Sequence, residues 1–315
     1  MSEKYLIALD VGGTKADAVL FKESGEIVRR YVGLGGSPID FGLEKCIERI
    51  LDTVENLLDG FSHTVESLYA AIATVEYYYD DFCRAFNERF KTRIKNIRLE
   101  GDGVALISAM LGHSDGAALI CGTGSALYMR KGENYEHIGG GGHLIDSCGS
   151  GFTIGHYTLQ AALRSGDGGT HKTLICDLIR RDFDGKDAWN DQPTVYGKGR
   201  AYIASFAKYM FAARDLGDVT ARTIFNKCAA DMADVIWAAY EKLGKENVTI
   251  ILNGGIFRNY PEYAAAVISA SPKDVKFIQS DVTPVYGCAV EAMYDVGHAG
   301  VEDSFKTNFI ASYGK

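Results

Sequence analysis

The chain has 315 residues, which is enough for about two domains that each bury a hydrophobic core. Its 41 acidic residues outnumber the 33 Lys and Arg residues, so the formal charge is −8 and nucleic-acid binding is not indicated. The composition, 47% hydrophobic and 23% charged, is typical of an ordered globular protein. The sequence shows no signal peptide, membrane span or C-x-x-C pair, so we expect a cytoplasmic protein without disulfides, structural zinc or membrane attachment.

The first third of the chain predicts a three-stranded meander, then alternating helices and strands. Strands are predicted at Tyr5 to Asp10, Ala16 to Phe21 and Glu26 to Val32, a helix at Asp40 to Leu58 and a buried strand at Leu68 to Val75. A helix at Asp81 to Phe90, a strand at Asn96 to Leu99 and a small-residue helix at Val104 to Leu111 follow.

The same order of elements begins again about 110 residues later. Strands are predicted at Ala117 to Cys121, Ala126 to Lys131 and Tyr135 to Ile138, then a helix at Val219 to Leu243, a strand at Val248 to Leu252 and a last helix at Pro284 to Tyr294. Because strand, glycine hairpin, strand, strand, helix and strand occur twice, we expect two similar α/β domains with a cleft between them. The first is expected at 1–114, with the tail 298–315 packing back on it, and the second at 115–297, with a helical insertion at about 143–216.

Two glycine hairpins carry residue types that bind phosphate. The segment from Asp10 to Lys15, DVGGTK, places a carboxylate at a strand end, followed by backbone amides, a hydroxyl and an ammonium group. Amides in such a turn hold phosphate oxygens, and a carboxylate beside them holds Mg²⁺. Taken alone, an acidic residue before a tight turn explains this motif equally well. The segment from Cys121 to Ser125, CGTGS, has the same place in the second copy, so both hairpins are candidates to grip one polyphosphate.

Two other motifs have alternative explanations on the residues alone. Asp102, after the strand that ends at Leu99, is either a helix N-cap or a general base that takes the proton of an acceptor hydroxyl. Gly254 and Gly255, after the strand that ends at Leu252, either lie against a flat ring or form a turn into a helix.

The motifs follow one another in a fixed order along nearly the whole chain. They are DVGGTK (10–15), EGDG (100–103), CGTGS (121–125), GGGGH (139–143), GSGFTIG (149–155), NGGIF (253–257) and PVYGCAVEA (284–292). This ordered set resembles the BadF/BadG/BcrA/BcrD ATPase family, and within it the N-acetylglucosamine kinase branch of the actin-like ATPase superfamily. The resemblance implies a duplicated actin-like ATPase (ribonuclease H-like) α/β fold.

The resemblance also implies an activity and a set of site residues. It implies an ATP- and Mg²⁺-dependent kinase, expected as a homodimer, that phosphorylates a hydroxyl (for this family the 6-hydroxyl) of an N-acetylhexosamine such as N-acetylglucosamine. Asp102 matches the catalytic base, and Asp10 would lie near Mg²⁺. The implied ATP-binding residues are Gly12, Gly13, Thr14, Lys15, Gly122, Thr123, Gly124, Ser125, Gly254 and Gly255. The implied sugar-side residues are Ser37, Asp102, Gly141, Asp146, Ser147, Gly149 and Ser150.

The sugar side departs from the family pattern, which leaves the acceptor sugar open. Ser37 stands where family kinases usually carry Asn, Gly141 where they often carry an aromatic residue, and Asp146, Ser147 and Cys148 where they carry Gly-Asp-Glu. A small-residue loop is replaced by Thr74, Val75, Glu76 and the tyrosines Tyr77 to Tyr79. Glu76 and these tyrosines either remodel the acceptor pocket or are surface residues.

Two other functions remain as hypotheses. Dehydratase-activating ATPases of the same family hold a bridging iron–sulfur cluster through cysteines, one of them near the position of Cys148, so an ATP-hydrolysing activator with a protein partner is the main alternative. A second cysteine is expected between residues 84 and 120 and none occurs there, so Cys148 is better explained as a buried or incidental thiol. A sensor that binds without catalysis is the third hypothesis, against which Asp10 and Asp102 argue.

Overall fold

The computed structural model describes residues 3–13, 15–36, 38–146, 148–169, 171–280 and 282–314. The chain divides into two units. Unit 1 comprises Met1–Ser114 together with Ser280–Lys315, and unit 2 comprises Asp115–Gln279. Within the described ranges, no helix has both the length and the apolar character needed to cross a bilayer.

The strands form one sheet in each unit. In unit 1 they are β1 (Tyr5–Val11), β2 (Lys15–Lys22), β3 (Ile27–Leu34), β4 (Val65–Ile72) and β5 (Ile94–Glu100). In unit 2 they are β6 (Gly116–Cys121), β7 (Ser125–Lys131), β8 (Asn134–Ile138), β9 (Thr249–Asn253) and β10 (Lys276–Gln279).

Helices connect and cover the strands. In unit 1, before the chain enters unit 2, they are α1 (Pro38–Phe41), α2 (Leu43–Leu57), α3 (Tyr79–Phe90) and α4 (Asp102–Leu111). In unit 2 they are α5 (Gly151–Gly166), α6 (Ile175–Asp182), α7 (Gln192–Ser205), α8 (Ala207–Asp215), α9 (Val219–Leu243), α10 (Gly255–Asn259) and α11 (Pro261–Ala270). The last two, in unit 1, are α12 (Pro284–Asp295) and α13 (Asp303–Tyr313), and short 3₁₀ helices lie at Val75–Tyr77 and Ala188–Asn190.

The two sheets have the same topology. The strand order is β3-β2-β1-β4-β5 in unit 1 and, from the equivalent edge, β8-β7-β6-β9-β10 in unit 2. In each sheet the first three strands form an antiparallel meander. The last two strands run parallel to the first strand of that meander, β1 in unit 1 and β6 in unit 2. The duplication expected from the order of elements is therefore present as two matching sheets.

The sheet of unit 1 has apolar cover on both faces, as the continuous apolar character of its inner strands requires. On one face, Ile7 and Leu9 of β1 belong to a buried cluster with residues of α2 and α3. On the other, Leu6 and Ala8 pack in a cluster with residues of α12 and α13. Side chains of a strand alternate between faces, so Asp10 falls on the second face, the face of α12.

The position of α12 differs from the expected domain limits. We expected residues up to 297 in the second domain, whereas α12 lies in unit 1. The physical reason is the need for cover, because Tyr69 and Ala71 of β4 are buried on the face that α12 and α13 occupy.

Some element limits also differ from the predictions. The strand predicted to reach Val75 ends at Ile72, because Thr74 adopts a left-handed conformation (φ 66°) before the 3₁₀ helix. The helix predicted from Asp40 is interrupted at Gly42 (φ 82°), after which α2 begins.

Candidate functional site

The carboxyl edge of the first sheet brings two predicted acidic residues close together. Asp10 is the penultimate residue of β1, and Asp102 lies two residues after the end of β5. Because β1, β4 and β5 are parallel, they end at the same edge of the sheet. Burial raises the pKa of Asp10 to about 7, and the nearby carboxylates of Asp102 and Asp17 contribute to the increase, opposed by Lys15. A divalent cation would relieve this repulsion, and carboxylate oxygens are ligands that Mg²⁺ prefers. The donor set therefore fits the metal that the sequence suggested.

The helix-capping explanation of Asp102 is wrong. The N-cap position of α4 is occupied by Gly101, which has extended backbone angles, and Asp102 is the first helical residue. Its carboxylate gains from the helix dipole at that position. With capping excluded, the general-base interpretation of Asp102 remains open.

The first glycine hairpin has an open surface. The amide of Gly12 donates to the carbonyl oxygen of Lys15 (3.0 Å), which closes the turn, and the amide of Gly36 donates to the carbonyl of Gly12 (3.2 Å). A Cβ built on Gly13 would meet no atom within 4 Å, and one on Gly12 would meet only the Lys15 carbonyl oxygen, at 3.8 Å. Internal packing does not require these glycines, so their free side is available to a ligand. Thr14 lies outside the described residues.

In the second hairpin, too, a backbone hydrogen bond closes the turn and the glycines have open space beside them. The amide of Gly122 donates to the carbonyl oxygen of Gly124 (2.8 Å), and neither glycine would bring a Cβ within 4 Å of another atom. The hydroxyl of Ser125 donates to the carbonyl of Cys148 (2.8 Å), which ties the hairpin to the loop before α5. The carbonyl oxygen of Thr123 accepts a hydrogen bond from the amide of Phe152 (2.9 Å), which adds a second link between the hairpin and the start of α5.

The start of α5 is hydrogen-bonded to this hairpin. Ser150 is the N-cap, and its hydroxyl accepts from the amide of Thr153 (3.2 Å). The amide of Gly151 donates to the carbonyl of Gly122 (2.8 Å), and a Cβ at Gly151 would lie 2.8 Å from that oxygen. The carbonyl of Gly149 accepts from the buried hydroxyl of Tyr263 (2.8 Å). The predicted sugar loop and the predicted phosphate hairpin thus form one hydrogen-bonded structure in unit 2.

Gly254 and Gly255 have different roles. Gly254 has φ 114°, and a Cβ there would lie 2.1 Å from the carbonyl oxygen of Cys121, so only glycine fits beside the end of β6. Gly255 begins α10, and a Cβ there would meet nothing within 4 Å. The turn into a helix is present, and the open side of Gly255 still leaves room for a flat ring.

Asp146 is already hydrogen-bonded within its own loop. Its Oδ1 accepts from the amide (3.3 Å) and from the thiol (Sγ–Oδ1 2.6 Å) of Cys148. Burial and this carboxylate raise the pKa of Cys148 to about 12, so the thiol is protonated at neutral pH. Gly141 is exposed in the same loop, whereas Ser37 and Ser147 lie outside the described residues.

Two further acidic side chains, Glu100 at the end of β5 and Glu76 after β4, belong to unit 1. Burial raises the pKa of Glu100, the last residue of β5; Arg98 opposes the increase, and Glu291 and Glu76 add to it. Tyr77 and Tyr79 are 66% and 49% exposed, as expected of surface residues. Glu100 is not among the site residues predicted from the sequence, although it stands in the same EGDG motif as Asp102.

Known proteins resemble this chain over most of its length. It is 26% identical over 311 residues to the N-acetylmuramic acid/N-acetylglucosamine kinase of Clostridium acetobutylicum, covering 92% of this chain and 98% of the relative. It is 27% identical over 257 residues to a glucosamine kinase of Vibrio cholerae, covering 78% and 84%.

Solved structures show the same fold. A protein from Porphyromonas gingivalis, named as a candidate N-acetylglucosamine kinase, superimposes with a TM-score of 0.71 at 19% identity, covering 92% of this chain and 99% of that one. A ROK family glucokinase from Streptomyces griseus, in complex with glucose and AMPPNP, gives 0.60 at 16% identity, covering 92% and 99%. These likenesses confirm the predicted duplicated actin-like ATPase fold.

A family model supports the motif-based resemblance. The model of the BadF/BadG/BcrA/BcrD ATPase family matches residues 7–292, a range that extends from β1 to α12. The chain therefore belongs to the BadF/BadG/BcrA/BcrD ATPase family.

Proposed function

We propose that this protein is an ATP-dependent sugar kinase that transfers the γ-phosphoryl group of ATP to the 6-hydroxyl of an N-acetylhexosamine such as N-acetylglucosamine. The observation that carries the proposal is the pair of Asp10 and Asp102 at the carboxyl edge of the first sheet, beside a glycine hairpin with an open surface. The kinase names of the relatives from Clostridium acetobutylicum and Vibrio cholerae agree with it.

The proposed ATP-binding residues are the open glycines and the polar residues next to them. The phosphates are assigned to Gly12, Gly13, Thr14, Lys15, Gly122, Thr123, Gly124 and Ser125, and the adenosine to Gly254 and Gly255. Asp10 would hold Mg²⁺, which neutralises phosphate charge when it is bound. The hairpin amides that do not close the turns would supply neutral donors for phosphate oxygens without the desolvation cost of buried cations.

Asp102 is the proposed general base. Its carboxylate accepts the proton of the acceptor hydroxyl as the hydroxyl oxygen forms a bond to the γ-phosphorus and the bond from that phosphorus to the departing ADP breaks.

The sugar side is assigned to Ser37, Gly141, Asp146, Ser147, Gly149 and Ser150, together with Asp102. The carboxylate of Asp146 accepts from Cys148, so Asp146 has less freedom to bind sugar hydroxyls. Lost hydrogen bonds to a sugar hydroxyl change substrate discrimination strongly, so the acceptor has to be found with a panel of sugars.

We expect Asp102→Asn to retain ATP binding and to lower sugar-dependent turnover by roughly 10²- to 10⁴-fold, the usual contribution of a general base. ADP release is measured with Mg-ATP against amino sugars, N-acetylated sugars, N-acetylmuramic acid, neutral hexoses and no sugar, and ATP binding by calorimetry. Asp303→Asn is the matched control, because Asp303 is an exposed carboxylate in the first turn of α13.

Wild-type turnover in Asp102→Asn would contradict the role of this residue. If no sugar raises ADP release above the control, the kinase proposal fails. Substantial ATP hydrolysis under that condition would favour the ATP-hydrolysing activator instead.

A further inference from the structure

The helix α12 contains the PVYGCAVEA motif, to which the proposed kinase mechanism assigns no role. This helix lies directly against α4, the helix that begins with Asp102. A Cβ on Gly287 would lie 1.9 Å from the carbonyl oxygen of Ala105, so the two helix backbones touch at this point. Ala105 is in the first turn of α4, close to Asp102.

One turn further along α12, a buried carboxylate joins three elements of unit 1. Glu291 is 1% exposed. It accepts hydrogen bonds from the hydroxyl of Ser108 on α4 and from the guanidinium of Arg98 on β5. Arg98 is also paired with Asp295 of α12 (Nε–Oδ1 2.9 Å) and lies over the ring of Tyr69 (4.6 Å).

These contacts hold both segments that flank Asp102. β5 ends at Glu100 and α4 begins at Asp102, so Arg98 lies before the candidate base and Ser108 lies after it. The other buried residues of α4 between Asp102 and Ser108 include Val104, Leu106 and Ile107, whose apolar contacts have no directional preference. Hydrogen bonds are directional, so the bond from Ser108 restrains the rotation of α4 about its axis.

We propose that Glu291 is a positioning residue: through Ser108 and Arg98 it holds α4 in the orientation that places Asp102 for proton transfer. This inference rests on the proposed kinase function. A displacement of a catalytic group by about 1 Å lowers the rate by roughly 100-fold, so a loss of one restraint is measurable in turnover.

Two Ser→Ala variants form a matched pair for the test. Ser108 and Ser67 are both buried, and each donates to an acidic residue of α12, Ser108 to Glu291 and Ser67 to Asp295 (3.2 Å). Only Ser108 is on α4, because Ser67 is on β4. The pair therefore separates the restraint on α4 from the general loss of a buried hydroxyl.

For Ser108→Ala we expect kcat to fall by about 10-fold, with KM for ATP within about twofold of the wild type. Ser108→Thr keeps a hydroxyl group and is expected to have a kcat close to that of the wild type. Ser67→Ala is expected to keep kcat within about twofold. Amide hydrogen exchange in the first turn of α4 is expected to quicken in Ser108→Ala and to stay unchanged in Ser67→Ala. Cooperative urea unfolding of each variant establishes that it is folded.

The outcomes separate the two proposals. If the wild type phosphorylates a sugar but Ser108→Ala matches it, or loses no more activity than Ser67→Ala, the positioning role of Glu291 is overturned. If the wild type phosphorylates no sugar, the kinase proposal fails, and unchanged amide exchange in Ser108→Ala then overturns the restraint on α4 independently.

Discussion

Neighbouring glycines in the NGGIF motif are required for different physical reasons. Gly254 has a φ of 114°, which residues other than glycine rarely adopt. In addition, a Cβ at this position would overlap with the carbonyl group of Cys121. Gly255 has ordinary helical geometry and open space beside it. The first glycine is thus needed for folding, and the second is needed only if a ligand lies against it.

A pair of substitutions separates these reasons. We expect Gly254→Ala to lower the free energy of unfolding by roughly 2–4 kcal/mol, because strain and a steric clash add. Gly255→Ala is expected to change it by no more than about 0.5 kcal/mol but to weaken ATP binding several-fold, because its methyl group occupies the space assigned to adenosine. Urea unfolding and ATP calorimetry measure the two effects. Equal stability of the two variants would contradict the close approach of Gly254 to Cys121.

Among the elements, α13 is attached to the sheet of unit 1 by apolar and polar contacts together. Phe305 and Phe309 are buried against Phe21 of β2. At the end of the helix, the hydroxyl of Tyr313 donates to Asp17 Oδ2 (2.6 Å), and Arg30 of β3 binds the same carboxylate through Nε (3.0 Å) and a terminal nitrogen (2.9 Å). Asp17 is only 2% exposed, so these hydrogen bonds offset the free-energy cost of burying its charged carboxylate.

The contribution of the Tyr313–Asp17 hydrogen bond to the free energy of unfolding depends on pH. Burial alone would raise the pKa of Asp17, but hydrogen bonds from Arg30 and Tyr313 outweigh it and hold the pKa below the ordinary value of 3.8. A lowered carboxyl pKa contributes stability above that value, and the contribution is lost as the pH falls through the folded-state pKa. We expect Tyr313→Phe to cost about 1–2 kcal/mol at pH 7, with a smaller difference from the wild type near pH 3.

Urea unfolding at both pH values measures this difference. Tyr209→Phe serves as the control, because its hydroxyl also donates to an aspartate, Asp182 (3.0 Å), whose side chain is 34% exposed. Solvent screens that bond, so its loss is expected to cost less than the loss of the bond from Tyr313 to Asp17. A loss for Tyr313→Phe that is independent of pH would argue that packing, and not the charge of Asp17, is responsible.

For the molecule as a whole, the two units differ in how the chain builds them. Unit 2 is one continuous segment, and its hydrophobic cluster includes Leu119 of β6 and Met232 and Ile236 of α9. Unit 1 is interrupted by unit 2, and one face of its sheet is covered by helices that follow residue 280. The core of unit 1 is therefore completed only after unit 2 has been synthesised.

Fragments of the chain test this difference. We expect residues 115–279 to unfold cooperatively in urea, because their core is continuous in sequence. Residues 1–114 are expected to aggregate or to unfold without cooperativity, because Leu6, Phe21 and Tyr69 lose the cover of α12 and α13. Joining 280–315 to 1–114 through a short Gly-Ser linker is expected to restore cooperative unfolding, followed by circular dichroism. Cooperative unfolding of 1–114 alone would contradict the dependence on the C-terminal helices.

Local patterns in the sequence were sufficient to predict the duplicated fold and to identify the hairpin motifs. Apolar periodicity and turn glycines predicted β1, β6 and α9 within about two residues, because strand and helix periods and glycine turns depend on neighbouring residues. The two glycine hairpins, which are predicted to bind phosphate, could be identified for the same reason, since the residues of each are consecutive. Asp102 could be singled out as a candidate from the EGDG motif, but its closeness to Asp10 required the parallel alignment of β1, β4 and β5.

Contacts between segments that are distant in the sequence could not be predicted from it. Arg98 and Glu291 are 193 residues apart, and nothing in the PVYGCAVEA motif indicates that Glu291 is buried against an arginine. The assignment of α12 to unit 1 likewise depends on which sheet face lacks apolar cover, and the amides of α5 reach the second hairpin only when the chain folds back on it. Such contacts form where several elements meet, so their energies depend on burial and geometry that no local pattern of residues contains.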